Sequence, residues 1–344
     1  MVSKVSASGD KAEAKPKLRI GVIGAGIMGS NHARVLAGLP DSTLVGIVDP
    51  LAEHRTRAIE LVGCHAFASL DELIAEGVDA VTVAAPTHLH HEIALACIER
   101  NIHVMVEKPI ASSVEEGHQI VAAARRAGVT LMVGHVERFN PAVAAIKQAI
   151  SGEDILSIAI TRVGPFPPRM SNVGVVIDLA VHDIDLIRWF TESDIVEVQP
   201  QLSSAVAERE DIALLQFRTA SGVLAHINTN WLTPFKARNV TVATRGKYVM
   251  GDLLTRQVTE CFGFKPDGSY SMRHLPVGHD EPLRAELIAF LRAVRSRSVP
   301  AVTGDEGVAS LEIAIRCLES PARPAVNSSA AASAARKGPR RVVG

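Results

Sequence analysis

Leu18-Arg-Ile-Gly-Val-Ile-Gly-Ala-Gly-Ile-Met-Gly29 joins a short apolar run to three glycines spaced Gly24-x-Gly26-x-x-Gly29. Leu18–Ile23 reads as a buried strand, and the spacing from Gly29 to Ala37 reads as a helix. Each glycine between them has a physical job. Gly24 permits a tight turn, Gly26 lets the backbone approach a pyrophosphate, and Gly29 allows close helix–strand packing. The helix start, with Ile27 and Met28 just ahead of it as candidate cofactor contacts, offers N–H donors and a positive dipole end to phosphate oxygens. Twenty residues further on, Asp49 closes a second apolar run. An acid there accepts hydrogen bonds from adenosine ribose hydroxyls and repels a 2′-phosphate. Pro50 and Leu51 follow, and the nearest cation for such a phosphate is Arg55. The expected cofactor is therefore NAD rather than NADP.

Outward from this stretch, short apolar runs alternate with helical patterns. Leu44–Asp49, Ala80–Ala85, His103–Val106 and Thr130–Gly134 read as strands, and Ala52–Val62, Leu70–Ala75, His91–Arg100 and Val114–Ala127 as helices. That alternation implies an α/β fold, a doubly wound parallel sheet of the Rossmann type. After Arg138 the texture changes. Pro141–Ile150 and Ile177–Thr191 read as helices among strand-like runs at Leu156–Val163, Val196–Ala205, Asp211–Arg218, Val223–Asn230, Asn239–Thr244 and Gln257–Cys261. Several of these alternate polar and apolar, as an open, mostly antiparallel sheet requires. Leu283–Ser296 and Glu306–Glu319 read as closing helices. The expected organisation is a dinucleotide domain over residues 18–137 and a second α/β domain over 138–320. Residues 1–17 and 321–344 are expected to be disordered tails, because neither carries enough apolar surface to offset its ordering.

At 344 residues the chain can bury two cores. Its formal net charge of −1 gives no bulk attraction to nucleic acid or to an anionic membrane, so neither is an expected partner. The four cysteines, Cys64, Cys97, Cys261 and Cys317, form no CxxC pair and suit a reducing compartment. No apolar stretch is long enough to span a bilayer, and Met1–Lys17 lacks a signal-peptide core. A cytoplasmic location is expected. His88, His90 and His91 crowd together without a partner at ligand spacing, and His65, His118, His226, His274 and His279 are scattered, so no metal is expected.

Two further places carry chemistry. Glu107-Lys-Pro109 ends a strand at the edge where doubly wound sheets bind ligands. Lys108, kept out of the helical region by Pro109 and able to precede a cis bond, can hold a substrate hydroxyl and steady developing negative charge. An ordinary lysine at a strand end is the alternative. Asp178 stands four residues before His182, which on a helix stacks carboxylate and imidazole on one face. Histidine suits the removal of a hydroxyl proton near neutral pH. The alternative is a surface pair worth about 0.2–0.5 kcal/mol. The apolar flanks, Val175 to Ile177, Leu179 and Val181, argue for an interior site.

Together, Gly24–Gly29, Ala85-Pro-Thr-His-Leu-His90, Glu107-Lys-Pro109 and Asp178-Leu-Ala-Val-His182 resemble the Gfo/Idh/MocA oxidoreductases, from about Leu18 to Glu319. The resemblance implies a Rossmann domain that binds NAD(P) and a second domain whose open sheet forms a homo-oligomer, a dimer or tetramer. It implies that Lys108, Asp178 and His182 are catalytic. It also implies that Ala85, Pro86, Thr87 and His90 line the nicotinamide side, with Glu107 and Lys108 among the cofactor contacts. Three stretches, Gly134-His-Val-Glu-Arg-Phe-Asn-Pro-Ala-Val143, Val163-Gly-Pro-Phe-Pro-Pro-Arg169 and Asn230-Trp-Leu-Thr-Pro-Phe235, are similar to the branch that oxidises nucleotide sugars at C3. Many members of the family carry Tyr where His135 stands.

From this branch the expected reaction is NAD-dependent oxidation of the C3 hydroxyl of a UDP-amino sugar, UDP-N-acetylglucosamine or its uronic acid. The 3-keto product would feed an aminotransferase, toward 2,3-diamino sugars of lipid A or a polysaccharide. Arg138, Arg169, Lys236 and Arg238 are candidates for the substrate diphosphate, since the guanidinium fork matches phosphate oxygens. Each taken singly could equally be a surface cation. Asn172 is a candidate sugar contact, and Arg162 and Arg188 read as structural. The rivals are a cyclitol or simple-sugar dehydrogenase of the inositol 2-dehydrogenase kind, and a non-catalytic NAD-binding regulator.

Overall fold

A computed structural model describes residues 16–166 and 173–319. The expected tails outside residues 16–319 therefore lie beyond the described residues. In the first layer, strands β1 (Leu18–Ile23), β2 (Ser42–Val48), β3 (Ala66–Phe67), β4 (Ala80–Val83), β5 (His103–Glu107) and β6 (Leu131–Gly134) form a parallel sheet in the order β3-β2-β1-β4-β5-β6. Between them run α1 (Ile27–Ala37), α2 (Ala52–Val62), α3 (Leu70–Ala75), α4 (His90–Ile98) and α5 (Val114–Ala127). Strands β4 and β6 are buried throughout, and β1 and β5 nearly so. Helices cover both faces of such a sheet, so its strands read as continuous apolar runs. Local chemistry fixes the helix ends. In α5, Ser113 accepts from Glu116 N–H while the Glu116 carboxylate accepts from Ser112 N–H, and Gly128 closes the helix at φ 68°.

The second layer begins with α6 (Pro141–Ala149), capped by Asn140, and β7 (Ile155–Pro165). A π-helical turn, Val176–Ala180, leads into α7 (Val181–Thr191). Then come β8 (Ile195–Ser203), β9 (Ile212–Thr219), β10 (Leu224–Asn230), β11 (Leu232–Thr244), β12 (Lys247–Asp252), β13 (Gln257–Phe262) and β14 (Ser271–Leu275). The eight strands follow the order β14-β13-β12-β11-β7-β10-β9-β8. Among the described strands of this sheet, β7 and β10 alone pair in parallel. Strand β9 alternates buried and exposed residues, as a sheet open on one face demands. Strand β11 starts seven residues earlier than its sequence pattern suggests. Pro234, which would interrupt a regular ladder, falls where the register with β7 shifts between Leu232 and Ala237.

Helices α8 (Pro282–Ser296) and α9 (Gly304–Glu319) close the chain. A boundary at residue 138 does not describe their packing. Leu283, Leu287, Phe290, Leu291 and Val294 of α8 join the core of the first sheet, as do Val308 and Leu311 of α9. Ile313, Ala314 and Cys317 at the far end of α9 join the second core. Helix α9 therefore belongs to both layers and fixes one against the other. Among the described residues no helix is long and apolar enough to cross a membrane.

Candidate active site

The strand order reverses between β1 and β4, which is where an open α/β sheet binds its ligand. Gly24 has φ +98°, and a Cβ there would lie 2.6 Å from the Ala84 carbonyl oxygen at the end of β4. A Cβ on Gly29 would lie 1.7 Å from Gly24 O. At Gly26 a Cβ would meet nothing within 4 Å, so its bare backbone faces open space at the start of α1. No side chain caps that helix, and Ile27 and Met28 of its first turn are exposed. Uncapped N–H groups beside an open glycine fit a pyrophosphate. Asp49 ties the second strand to this loop. Its Oδ2 accepts from Ala25 N–H at 2.9 Å and its Oδ1 from Leu51 N–H at 2.9 Å. Arg55 donates to the Asp49 and Pro50 carbonyls, so its guanidinium is engaged by the backbone.

Lys108 follows β5, and its bond to Pro109 is cis. Its ammonium donates to the Asp178 main-chain oxygen at 2.7 Å and lies 3.1 Å from Asp178 Oδ1. Both residues line a cavity of about 890 Å³ with Pro86, Thr87, Gly174, Arg209 and Glu210. Asp178 lies in the π-helical turn and His182 in the first turn of α7. That corrects the expectation of one continuous α-helix from Ile177 to Thr191. A π-turn is a wider, rare turn that recurs at functional sites. It starts where Val175 and Val176 N–H groups meet Glu210, the first at its carbonyl and the second at its carboxylate. A Cβ on Gly174 would collide with that carboxylate at 1.9 Å.

Two family models match the chain. One, described as the oxidoreductase family with NAD-binding Rossmann fold, covers residues 18–135. The other, the Gfo/Idh/MocA C-terminal domain, covers residues 157–249. Over 237 residues the chain is 31% identical to UDP-N-acetylglucosamine 3-dehydrogenase of Acidithiobacillus ferrooxidans, spanning 69% of this chain and 74% of that protein.

The chain belongs to the Gfo/Idh/MocA oxidoreductases.

It is an NAD-dependent oxidoreductase. A solved structure of the Acidithiobacillus enzyme superposes with a TM-score of 0.81 at 28% identity, covering 87% of this chain and 96% of that one. Inositol 2-dehydrogenase 2 of Saccharopolyspora erythraea is 30% identical over 328 residues, 89% of this chain and 93% of that protein. A myo-inositol dehydrogenase structure from Corynebacterium glutamicum gives a TM-score of 0.74 at 26% identity, over 88% and 96% of the two chains.

Several residues that the family resemblance had assigned to ligands are committed elsewhere. Arg138 is buried, with two nitrogens on Asp185 at 2.7 Å and a third 2.7 Å from Glu306. It locks the turn after β6 to α7 and α9 and has no arm left for a diphosphate. His90 is 1% exposed, its two nitrogens each 2.9 Å from a carbonyl oxygen, Pro109 O and Ala85 O. It joins the β4 and β5 loops from within rather than facing the nicotinamide. Glu107 turns inward to His32 Nε2 at 2.9 Å, and its other oxygen accepts from Lys108 N–H at 3.2 Å. Arg238 donates to Glu137 at 2.9 Å yet keeps about a third of its side chain exposed. Lys236 is exposed on β11. Arg169 and Asn172 lie outside the described residues. Arg209 and Glu210 line the cavity and were missed. They sit in the polar run Glu208-Arg-Glu-Asp211, which reads as a plain loop between strands.

Electrostatics around His182 are unusual. Burial, and after it the charge of Lys108, hold its imidazole well below the ordinary histidine pKa, with Arg162, His135 and Arg238 adding to the effect. A neutral ring can accept a proton, as general-base chemistry needs. Arg162 is itself buried, paired with Asp183 at 2.7 Å and Glu137 at 2.8 Å. Burial opposes its charge, but those two carboxylates outweigh that and hold its pKa above the ordinary value.

Proposed function

We propose that the protein is an NAD-dependent dehydrogenase that oxidises the C3 hydroxyl of a UDP-amino sugar, UDP-N-acetylglucosamine. One observation carries the chemistry: Lys108 bridges to Asp178 in the cavity next to the dinucleotide loop, with a neutral His182 just beyond. Bound NAD supplies the hydride acceptor. Lys108 donates a hydrogen bond to the sugar hydroxyl and steadies the negative charge that grows on its oxygen. His182 removes the hydroxyl proton, and Asp178 fixes the ammonium and bonds the sugar. Thr87 and Pro86 border the nicotinamide end. The cavity, near the upper end of the roughly 300–1,000 Å³ range of ligand pockets, has room for more than a free sugar.

Similarity to the Acidithiobacillus 3-dehydrogenase supports the nucleotide sugar. Among the described residues Arg209, Lys236 and Arg238 are candidate cations for its diphosphate, and Arg169 is a candidate on sequence alone. The 3-keto product is the substrate class of an aminotransferase, toward 2,3-diamino sugars. A second copy of the chain would cover the open sheet face, where Leu214, Leu224, Tyr248, Met250 and Met272 stand exposed.

A cyclitol dehydrogenase is the second reading, favoured by the similarity to inositol 2-dehydrogenase 2 over nearly all of that protein. Trapping the product distinguishes the two. Incubation with NAD and UDP-N-acetylglucosamine, followed by borodeuteride reduction, should leave deuterium at C3 of the sugar. Deuterium at another carbon, or none, would refute the C3 assignment.

A further inference from the structure

Behind His182 stands a second imidazole that the chemistry above does not use. His135 follows β6 and precedes the 3-10 turn Val136–Phe139. It is 1% exposed, and neither ring nitrogen has a hydrogen-bond partner. An unpaired buried polar group costs about 1–3 kcal/mol, which an apolar residue would avoid. The His135 and His182 rings meet edge to face, with centroids 6.0 Å apart at 87°. His135 Nδ1 lies 4.0 Å from Asp185 Oδ2. His182 Nδ1, like both His135 nitrogens, is buried and unpartnered.

The two rings sit in different fields. The charges that act most strongly on His182 are cations, Lys108 after β5, Arg162 of β7 and Arg238 of β11, and Lys108 carries the Asp178 carboxylate on its other side. Around His135 the cations Arg138 and Lys108 are balanced by carboxylates, Asp185 of α7 and Glu107 of β5. Burial opposes a proton on either ring, and the second ring has the Asp185 carboxylate 4.0 Å from its Nδ1.

We propose that His135 is a positioning residue that relieves His182 of the substrate proton and holds it against Asp185 until the product leaves. This rests on His182 being the proton acceptor. The neutral His182 ring carries its hydrogen on Nδ1. The hydroxyl proton adds to Nε2, the Nδ1 proton passes to His135, and His182 returns to neutral as the other tautomer. Bound NAD would take the C–H electron pair as hydride, which leaves the proton as the charge for this chain's residues to hold. His135 becomes the imidazolium, and Asp185, pinned by Arg138 on both oxygens, is its counter-ion. The rings are not hydrogen-bonded at this separation, so the relay requires a small ring rotation or one bridging water. After the product has left, the proton returns to solvent by the same two rings.

Single-turnover NADH formation, followed from pH 5 to 9 in wild type, His135→Gln, His135→Phe and His182→Ala, tests the relay. Gln keeps polarity but cannot take up a proton. Both His135 variants should slow turnover about 10- to 100-fold, below the 10²–10⁴ of a group that touches the hydroxyl itself. KM for NAD should not change, and the acid limb should move to higher pH as His182 loses a neighbour that disfavours its charge. A wild-type rate and an unmoved limb in His135→Gln would overturn the relay while leaving His182 as the base. An active His182→Ala would instead overturn the reading on which the relay stands. If neither His135 variant binds NADH, a proton inventory of the wild-type enzyme decides. A curved dependence on deuterium content is expected of two moving protons, and a straight line overturns the proposal.

Discussion

Lys108 Nζ lies 2.7 Å from the main-chain oxygen of Asp178 and 3.1 Å from its carboxylate, joining the end of a Rossmann strand to a π-helical turn of the second layer. The contact spans 70 positions of chain. It places an ammonium with both a dipole and a charge at its back, and leaves its third hydrogen for a hydroxyl brought into the cavity.

Asp178→Asn keeps the main-chain acceptor and removes the charge. Lys108 should stay near its place but lose its counter-ion. We expect kcat/KM for the sugar to fall about 100- to 1,000-fold, the scale on which a single preorganised electrostatic contact acts, with KM for NAD unchanged. Steady-state kinetics in both substrates checks this. A fall confined to KM for NAD would place Asp178 on the cofactor instead.

The pH dependence follows from His182. It acts when neutral, and its pKa is depressed by burial and by the Lys108 charge. kcat/KM should therefore hold level as pH drops through 6.5, the ordinary histidine value, and fall only well below it. An acid limb centred at or above 6.5 would contradict the assignment. Stability follows the same sign. His90, His135 and His182 all have lowered pKa values, chiefly through burial. The unfolded chain then binds more protons below about pH 6.5, so their contribution to stability declines from there as pH falls.

Glu286 opposes this trend and can be separated from it. Its carboxyl is fully buried on α8 without a partner for either oxygen, and burial, then the Glu107 charge, push its pKa well up. Such a group stabilises at low pH, where it is protonated in both states, and that contribution is lost as pH rises above the ordinary carboxylate value. The stability of Glu286→Gln relative to wild type should therefore increase with pH, as urea denaturation between pH 5 and 9 would report. A pH-independent difference would show that Glu286 is ionised in the fold.

Arg138 separates a structural cation from a substrate cation. Arg138→Met leaves Asp185 buried without its fork, and breaking a buried pair this way costs about 3–5 kcal/mol. Chemical denaturation should show that loss, while KM for the nucleotide sugar at a permissive temperature stays near wild type. A raised KM with unaltered stability would return Arg138 to the diphosphate.

Much of this fold was legible because its signals are local. Leu18–Ile23, Ala52–Val62, Leu70–Ala75 and Val114–Ala127 coincide with the elements their periodicity predicts. Strand β3 has two residues, β12 contains Gly251, and β14 is mostly exposed, so none stood out. The spacing of Asp178 and His182 does not distinguish an i→i+5 turn from an α-helix, because both bring residues four apart to neighbouring places. Long-range commitments were the least visible. Arg138 meets partners 47 and 168 positions away, and nothing beside it announces them. Glu107 and Lys108 were both read as cofactor contacts, although strand alternation sends the one to the core when the other faces the cleft.

Asp49→Ser removes the acid proposed to meet the adenosine ribose and also frees Ala25 N–H. KM for NAD should rise and the preference over NADP should narrow, by about tenfold or more, since excluding the 2′-phosphate depends on like-charge repulsion. Initial rates with the two cofactors check the ratio.

The most direct measurement is NADH absorbance with UDP-N-acetylglucosamine and with myo-inositol, in wild type, Lys108→Ala and His182→Ala. The account predicts turnover of the nucleotide sugar by wild type alone, with both variants reduced at least about 100-fold and still binding NAD. Turnover of myo-inositol with none of the nucleotide sugar, or wild-type rates in either variant, would contradict it.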